Sequence, residues 1–295
     1  MSLQIKNKTI AVDGLNIFYR EAGDPANPCI LLLHGFPTSS LMFKNLMTAL
    51  ADRFYLVAPD YPGFGFSDFP PVADFDYSFE NVAACMYRFT EVMQLRSFAI
   101  YLHDYGSYIG MRICLKDPGR IEALIVQNGN NYTEGHGPQW APTLDYWANP
   151  TEEKRKDVYR FLSEEGTREQ YYAGVPGELR ENISPESWII DWERMSRPGN
   201  LDMQFRLNRT YPSNIALFPA FQAYFREHRP RALVIWGKHD VYFDVAEAPC
   251  YARDLPEAEI HILNGGHMAL ETNFDEVLGL IRDFMGVKKA PVKDN

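Results

Sequence analysis

Cysteine is scarce in this 295-residue chain, and its placement excludes the common cysteine motifs. The four cysteines are Cys29, Cys85, Cys114 and Cys250, with no Cys-x-x-Cys pair and no metal-ligand spacing between them. Three of them lie in apolar or helical runs, where cysteine packs as a small hydrophobic residue. We therefore predict reduced, structural thiols. No other cluster has the spacing of metal ligands, and no glycine-rich loop is placed to cradle a phosphate, so we expect neither a metal nor a cofactor.

Basic residues and long apolar runs are lacking as well. Lys and Arg number 29 against 39 Asp and Glu, for a formal charge of −10, and this balance disfavours a nucleic-acid partner. No run approaches the ~18 apolar residues of a membrane span. The N-terminal stretch MSLQIKNKTI lacks the apolar segment of a signal peptide. We expect a cytoplasmic protein that has no membrane partner.

Apolar residues make up 46% of the chain, which is enough for one large folded unit. Unbroken apolar runs such as Cys29 to Leu33 alternate with helical patterns as far as residue 129 and again from residue 215, which is typical of parallel strands covered on both faces. Two earlier strands, joined at Asp13-Gly14, form an antiparallel edge. Together these segments predict an α/β fold, with a mostly parallel eight-stranded sheet and helices on both faces.

Residues 130–214 interrupt this alternation. The segment has no buried-strand pattern, and its helical stretches are charged and rich in Tyr and Trp. We predict that residues 130–214 form a helical cap inserted into a core of residues 1–129 and 215–295, with a frayed tail after Gly286. An aromatic cap over the strand ends is expected to line an apolar pocket. The candidate wall residues are Trp140, Trp147, Phe218 and Phe221.

Three side chains follow predicted strands at the carboxyl edge of the sheet, where such sheets bind ligands. Asp104 ends the apolar run of SFAIYLHDYGSYIG (97–110), and Asp240 and His267 follow two later strands. Each has an ordinary alternative role, as a helix N-cap, a turn residue and a loop histidine respectively. Their joint placement, in the order nucleophile, acid and histidine, instead indicates a catalytic triad.

A serine nucleophile does not fit this corner. A Gly-x-Ser-x-Gly motif around Ser107 would need glycines where the chain has Tyr105 and Ile109, so we predict that Ser107 is buried against the sheet. Gly106 stands two residues after the predicted nucleophile, as a tight strand-to-helix turn requires. The small residue usual two positions before the nucleophile is replaced by Leu102, which the pattern does not explain.

The motifs HGFP (34–37), DYPGFGFS (60–67), HDYG (103–106), WGKHD (236–240) and GH (266–267) span nearly the whole chain. On these motifs the chain resembles the α/β-hydrolases with an Asp nucleophile, the epoxide hydrolases and haloalkane dehalogenases. The resemblance implies that Asp104 attacks an electrophilic carbon to form an ester. His267, oriented by Asp240, would then deprotonate the water that hydrolyses the ester. The backbone N–H groups of Phe36 and Tyr105 would form the oxyanion hole, with a cis peptide between Phe36 and Pro37.

Within this group, side chains near the nucleophile separate the reactions. Haloalkane dehalogenases place Trp directly after the nucleophile and many have Asn after His-Gly, whereas fluoroacetate dehalogenases have Arg beside the nucleophile. This chain has Tyr105 and Phe36 at those positions, and Phe in an HGxP motif is common in epoxide hydrolases. Epoxide hydrolases also carry two cap tyrosines that donate protons to the epoxide oxygen. The best matches are Tyr211 and Tyr146, with Tyr132 as the alternative to Tyr146.

Three hypotheses for function follow. The first is a cofactor-independent epoxide hydrolase that converts a small or medium apolar epoxide to a diol. The second is a haloalkane or haloacid dehalogenase with the same triad, and the third is a non-catalytic, receptor-like protein of this fold. The expected partners are the epoxide or halogenated substrate and water, and the chain is expected to be a monomer or a homodimer. Two residues near the predicted triad are expected to have structural roles. His103 is predicted to point away from the site, and Glu271 is predicted to brace the loop of His267 or to cap the last helix.

Overall fold

A computed structural model describes residues 4–286 of the chain. The frayed tail predicted after Gly286 and the last residues of the predicted core lie outside the described residues. The strands are β1 (Lys6–Val12), β2 (Leu15–Ala22), β3 (Cys29–Leu33), β4 (Tyr55–Pro59), β5 (Phe98–His103), β6 (Ile121–Gln127), β7 (Arg231–Gly237) and β8 (Glu259–Leu263).

The eight strands form one sheet in the order β1-β2-β4-β3-β5-β6-β7-β8. β2 pairs antiparallel with both β1 and β4, and every other pair is parallel. The predicted mostly parallel sheet with an antiparallel edge is therefore confirmed. Because parallel strands point the same way, the segments that follow β3, β5, β6, β7 and β8 meet at one edge of the sheet.

The α-helices, in chain order, are α1 (Lys44–Leu50), α2 (Phe79–Val92), α3 (Tyr105–Lys116), α4 (Ala141–Ala148), α5 (Glu152–Phe161), α6 (Glu164–Tyr172), α7 (Pro185–Met195), α8 (Asn200–Arg209), α9 (Pro212–Ala216), α10 (Phe218–His228), α11 (Tyr251–Asp254), α12 (Ala269–Thr272) and α13 (Phe274–Phe284). The segment Val245–Cys250 is a 3-10 turn rather than an α-helix, and the single turn of α11 follows it. Pro249 lies inside that turn, and proline cannot supply the backbone N–H of a regular α-helix.

The sheet is covered on both faces, as its apolar strands require. All five residues of β3 are buried, and their side chains alternate between two cores. Leu31 and Leu33 join the core under α2 and α3, while Ile30 and Leu32 join the core under α1 and α13. Burial of whole strands on both faces fixes the strand register, because a shift of one residue would exchange the two cores.

The segment between β6 and α10 is helical and contains six of the α-helices. No strand of the sheet falls in it, and the predicted cap boundary at residue 214 lies inside α9. The division into core and cap stays a prediction. Within residues 4–286, the model contains no helix with the length and apolar character that crossing a membrane requires.

Candidate active site

The turn from β5 into α3 places Asp104 in a strained backbone conformation at the sheet edge. Its φ is 48° and its ψ is −118°, in a region that non-glycine residues seldom occupy. Gly106 is required at this corner, because a Cβ there would lie 2.2 Å from the carbonyl oxygen of Leu33. Gly35 is required opposite, since a Cβ on it would lie 2.3 Å from the Cβ of Asp104. The turn is thus packed tightly against the segment that follows β3.

The carboxylate of Asp104 makes no helix-capping hydrogen bond, although the residue stands at the N-cap position of α3. Its Oδ1 accepts a hydrogen bond of 2.5 Å from the backbone N–H of Phe36. The backbone N–H of Tyr105 also hydrogen-bonds the carboxylate. The peptide between Phe36 and Pro37 is cis, as predicted. Two backbone donors therefore converge on one carboxylate.

Leu102 is accommodated by a glycine on the neighbouring helix. A Cβ on Gly110 of α3 would lie 2.2 Å from Cδ2 of Leu102. The small residue needed for close packing of β5 against α3 is therefore on the helix rather than on the strand. Ser107 is fully buried, as predicted, and its Oγ accepts a hydrogen bond from the side-chain amide of Asn131 at 3.0 Å.

The three predicted triad residues meet at the sheet edge. Nδ1 of His267 lies 2.7 Å from Oδ2 of Asp240, and Nε2 of His267 lies 4.0 Å from Oδ2 of Asp104. Hydrogen bonding through Nδ1 assigns the proton to that nitrogen and leaves the lone pair of Nε2 facing Asp104. Nε2 of His267 has no hydrogen-bond partner within residues 4–286. The imidazole is thus oriented to accept a proton beside the carboxylate.

Asp240 is held by three further donors. Its Oδ1 accepts from the backbone N–H groups of Tyr242 at 2.7 Å and Phe243 at 3.0 Å. Its Oδ2 accepts from Nδ2 of Asn128 at 2.8 Å, in addition to His267. A carboxylate with this many donors stays in one orientation and fixes the imidazole bonded to it.

Asn128 is a residue of the site that was not predicted. Besides bonding Asp240, its Oδ1 accepts from the backbone N–H of Gly237 at 3.0 Å, so it links the ends of β6 and β7. Its φ is 43°, which asparagine tolerates better than most residues. An asparagine directly after a predicted buried strand, at the same edge as the triad, is the signal that could have identified it.

Burial is the main influence on ionisation in the site. It raises the pKa of Asp104 to about 6, although His267 and the N–H groups of Phe36 and Tyr105 lower it. Burial also opposes the charged form of His267, but the negative charge of Asp240, its hydrogen bond and the charge of Asp104 outweigh it and raise the pKa of His267. Both groups therefore bind protons at higher pH than in a free side chain.

These shifts predict an acid limit to activity. If Asp104 acts as a carboxylate, kcat/KM is expected to fall as the pH drops through about 6, because protonation then removes the reactive form. A proton on His267 would instead lower kcat, since a charged imidazole cannot accept a proton from the water that hydrolyses the ester. The pH dependence of kcat/KM, with folding checked by circular dichroism at each pH, measures this limit. A flat profile down to the ordinary pKa of aspartate would contradict it.

His103 lies closer to the site than predicted. Its ring centroid is 4.7 Å from that of His267, and its Nδ1 lies 3.0 Å from the carbonyl oxygen of Gln127. Nε2 of the Gln127 side chain donates to the carbonyl oxygen of His267 at 3.2 Å. The loop of His267 therefore covers the ends of β5 and β6, and there it contacts the side chain of His103, which points away from Asp104 along β5. Burial, followed by the neighbouring His267, holds the pKa of His103 well below its usual value.

Glu271 bonds the helical segment and does not cap the last helix. Its carboxylate accepts from the backbone N–H of Ser184 at 3.3 Å and from the hydroxyl of Ser187 at 2.9 Å. The N-cap residue of α13 is Asn273. Glu271 thus ties α12, which follows His267, to the start of α7.

A cavity of about 70 Å³ opens beside Asp104. A single water needs about 10–15 Å³, so the cavity has room for a small organic molecule. Its apolar wall consists of Phe36, Trp140, Val158, Phe161, Leu162 and Phe243. Its polar wall consists of Tyr105, Gln139, Thr143, Gln170, Asn208 and Tyr242. Helices α4, α5, α6 and α8 supply part of this wall, so the helical segment closes over the strand ends.

Of the predicted pocket residues, the structure brings Trp140 to the cavity and leaves Trp147, Phe218 and Phe221 out of its wall. Trp147 stacks on Tyr211 with ring centroids 5.1 Å apart. Phe218 and Phe221 are buried in the core and pack on each other with ring centroids 6.3 Å apart. Their aromatic surface is used for packing behind the wall.

The predicted cap tyrosines also lie outside the wall. Tyr211 is fully buried, and its hydroxyl hydrogen-bonds the hydroxyl of Tyr108. Tyr146 packs on Phe205 with ring centroids 5.8 Å apart. Tyr132, the alternative, donates its hydroxyl to Asp254 at 2.8 Å. The tyrosines among the residues that line the cavity are Tyr105 and Tyr242.

Comparison with known proteins agrees with this architecture. A model of the α/β-hydrolase fold family matches residues 28–274, and the chain belongs to that family. It is 40% identical over 265 residues to YNR064C, an uncharacterized hydrolase of Saccharomyces cerevisiae, covering 88% of this chain and 90% of that protein.

Two solved structures share the fold at low identity. A laboratory-evolved variant of potato epoxide hydrolase has a TM-score of 0.74 and 20% identity, over 96% of this chain and 99% of that chain. A mutant of the haloalkane dehalogenase DatA from Agrobacterium tumefaciens has a TM-score of 0.74 and 19% identity, over 96% and 97% of the two chains. The comparisons support a hydrolase of the α/β fold.

Proposed function

We propose that the protein is an epoxide hydrolase that opens a small epoxide through an ester on Asp104. The observation that carries this proposal is the position of one carboxylate. Asp104 faces the cavity with Oδ1 bonded to the Phe36 N–H and with Oδ2 toward Nε2 of His267. The nucleophile and the oxyanion-binding pair thus border one cavity, and Nε2 of the base lies 4.0 Å from the nucleophile.

The two oxygens of Asp104 have different surroundings, and this assigns their roles. Oδ2 attacks the epoxide carbon, the ring C–O bond breaks, and the ring oxygen takes a proton. His267 then removes a proton from water, which attacks Cγ of Asp104. Negative charge builds on Oδ1, where the N–H groups of Phe36 and Tyr105 stabilise it by about 3 kcal/mol per donor. As the Cγ–Oδ2 bond breaks, the His267 proton passes to the departing oxygen and the diol is released. The second proton of the water leaves the new carboxyl group and replaces the proton given to the ring oxygen, which restores the carboxylate.

The ring oxygen needs a proton donor, and Tyr105 is the best-placed candidate. Its side chain lines the cavity directly beside Asp104. Burial raises the pKa of its hydroxyl, so the phenol is protonated at neutral pH, while a hydrogen bond from the Asn208 side chain lowers that pKa. Since the contact with Asn208 lowers this pKa, we infer that the phenol oxygen is on the accepting side and that the phenol can offer its proton to the substrate.

A halide leaving group has less support at this site. The indole N–H of Trp140 is bonded to the Tyr242 carbonyl oxygen at 2.5 Å, and that of Trp147 is bonded to Oδ1 of Asn208 at 3.2 Å. Neither is free to hold a departing halide. A phenol that can protonate an alkoxide and the absence of a free indole in this wall together favour the epoxide over the carbon–halogen bond.

Two variants distinguish the candidate donors. Tyr105→Phe is expected to lower kcat/KM for an epoxide by about 10²-fold or more, because it removes the proton donor and keeps the backbone N–H of the oxyanion hole. Tyr211→Phe is the matched control and is expected to have a much smaller effect, because that hydroxyl faces Tyr108. Steady-state kinetics on both variants measures the difference. The opposite ranking would return the role to Tyr211.

The function itself is tested by product analysis. The protein is incubated with a panel of small epoxides and haloalkanes, and diol and halide are quantified separately. We expect diol from at least one small epoxide. Release of halide without any diol would contradict the proposal and favour a dehalogenase. Neither product from any compound, with a folded protein, would favour the non-catalytic hypothesis.

A further inference from the structure

The cavity wall contains two buried polar side chains that the protein does not satisfy. Thr143 of α4 is 4% exposed and Gln170 of α6 is 6% exposed, and both line the cavity beside Asp104. Neither side chain has a hydrogen-bond partner within residues 4–286. Their polar atoms are not fully enclosed, so a molecule in the cavity can reach them, and polar groups in such a site normally find a hydrogen-bond partner. The cavity is the place from which a partner can come.

The neighbouring polar groups are already bonded. Tyr171, next to Gln170 in sequence, donates its hydroxyl to Asp191 at 2.5 Å. In the wall itself, Asn208 is shared between Trp147 and Tyr105, and the indole N–H of Trp140 is bonded to a carbonyl oxygen. The amide of Gln170 and the hydroxyl of Thr143 are therefore free to bind a substrate, and between them they can donate and accept.

The charge of the wall restricts what they can bind. No Lys or Arg is among the described residues that line the cavity, and its carboxylate is Asp104. An anionic substituent would face a negative charge with no cation beside it. A neutral substituent that both donates and accepts hydrogen bonds would instead match an amide and a hydroxyl.

We propose that the preferred substrate is a small epoxide that carries a neutral hydrogen-bonding group, such as an amide or an alcohol, bound by Gln170 and Thr143. This inference rests on the proposed epoxide hydrolase function and refines its substrate class. It differs from the purely apolar substrate expected from the sequence. The reason is that the cap supplies polar as well as aromatic side chains to a narrow cavity.

Three epoxides of matched size test the proposal. Glycidamide carries a neutral amide, isopropyloxirane replaces that amide by an apolar group of the same shape, and glycidate replaces it by a carboxylate. Diol formation gives kcat/KM for each. We expect kcat/KM for glycidamide to exceed that for isopropyloxirane by about tenfold, which corresponds to one or two net hydrogen bonds. We expect kcat/KM for glycidate to be the lowest of the three.

Variants then assign the preference to the two side chains. Gln170→Met and Thr143→Val keep the approximate size of each residue, and each should lower kcat/KM for glycidamide several-fold without lowering it for isopropyloxirane. The apolar substrate thus reports that each variant is folded and active. Thr48→Val, on the exposed surface of α1, is the matched control and should change neither value.

The outcomes separate this inference from the proposed function. Equal turnover of glycidamide and isopropyloxirane by the unaltered protein would overturn the substrate class and leave the epoxide hydrolase function standing. Equal loss with both substrates in the Gln170 and Thr143 variants would also overturn it. No diol from any of the three, together with no ester on Asp104, would overturn the function and this inference with it.

Discussion

Replacing Asp104 by asparagine is expected to lower kcat by about 10⁴-fold or more, because the amide cannot form the ester through which the substrate would be hydrolysed. Asparagine keeps the shape of the side chain and tolerates the positive φ of this position. The variant should therefore fold normally. Steady-state diol formation, with purified Asp104→Asn at high protein concentration, measures the loss.

The same variant gives a second readout that reports on folding. Burial raises the pKa of Asp104 to about 6 from an ordinary value of 3.8, so ionisation of this group destabilises the folded state as the pH rises through that window. A neutral asparagine removes this penalty, and the melting temperature at pH 8 should be equal or higher. Asp52→Asn, an exposed carboxylate outside the site, should leave both activity and stability unchanged. Retained turnover in Asp104→Asn would show that the carboxylate is not the nucleophile.

Replacing His267 by glutamine is expected to block the second step and leave the first. We expect kcat to fall by about 10³-fold or more, while each protein molecule still consumes one equivalent of substrate. The reason is that His267 Nε2, 4.0 Å from Asp104, activates the water and takes no part in the attack on the epoxide carbon. Mass spectrometry of a proteolytic digest should show the peptide of Asp104 heavier by the mass of the epoxide.

The exposed histidine His228 of α10 provides the control. His228→Gln should turn over normally and accumulate no adduct. A His267→Gln protein that consumes no substrate, or that carries the adduct on a different residue, would be inconsistent with the assigned steps. Substrate consumption therefore tells whether His267 serves hydrolysis of the ester or its formation.

The sheet and the sites at its edge could be predicted because short-range sequence signals determine them. Unbroken apolar runs identify strands buried on both faces, and β3 has this form in the structure. Since parallel strands end at one edge, the residues following β5, β7 and β8 were expected to meet there. In the structure, His267 hydrogen-bonds Asp240 and its Nε2 lies 4.0 Å from Asp104.

Details that depend on packing between elements could not be read from the sequence. Leu102 departed from the usual pattern because its counterpart, Gly110, is eight positions further along and faces it only once α3 has formed. His103 was expected on the far side because side chains alternate along a strand. The rule describes β5 alone, and it does not locate the loop of His267 that covers the strand end.

The helical segment over the site was the least predictable part. It is rich in tyrosine and tryptophan, so composition alone could not tell a wall residue from one behind the wall. Tyr211 is close to the cavity, 6.1 Å from Tyr105 between ring centroids, yet its hydroxyl is bonded to Tyr108. Conversely, Gln170 and Thr143 carried no signal in the sequence, because a free polar side chain is recognisable only when its surroundings are known.

The central claim is that Asp104 forms a covalent ester, and a single turnover in ¹⁸O-labelled water tests it most directly. With protein in excess over an epoxide substrate, water attacks Cγ and the oxygen released with the product comes from the carboxylate. The account predicts ¹⁸O in the peptide of Asp104 and an unlabelled new hydroxyl in the first diol formed. Label in that hydroxyl, with none in Asp104, would mean direct attack by water and would contradict the account.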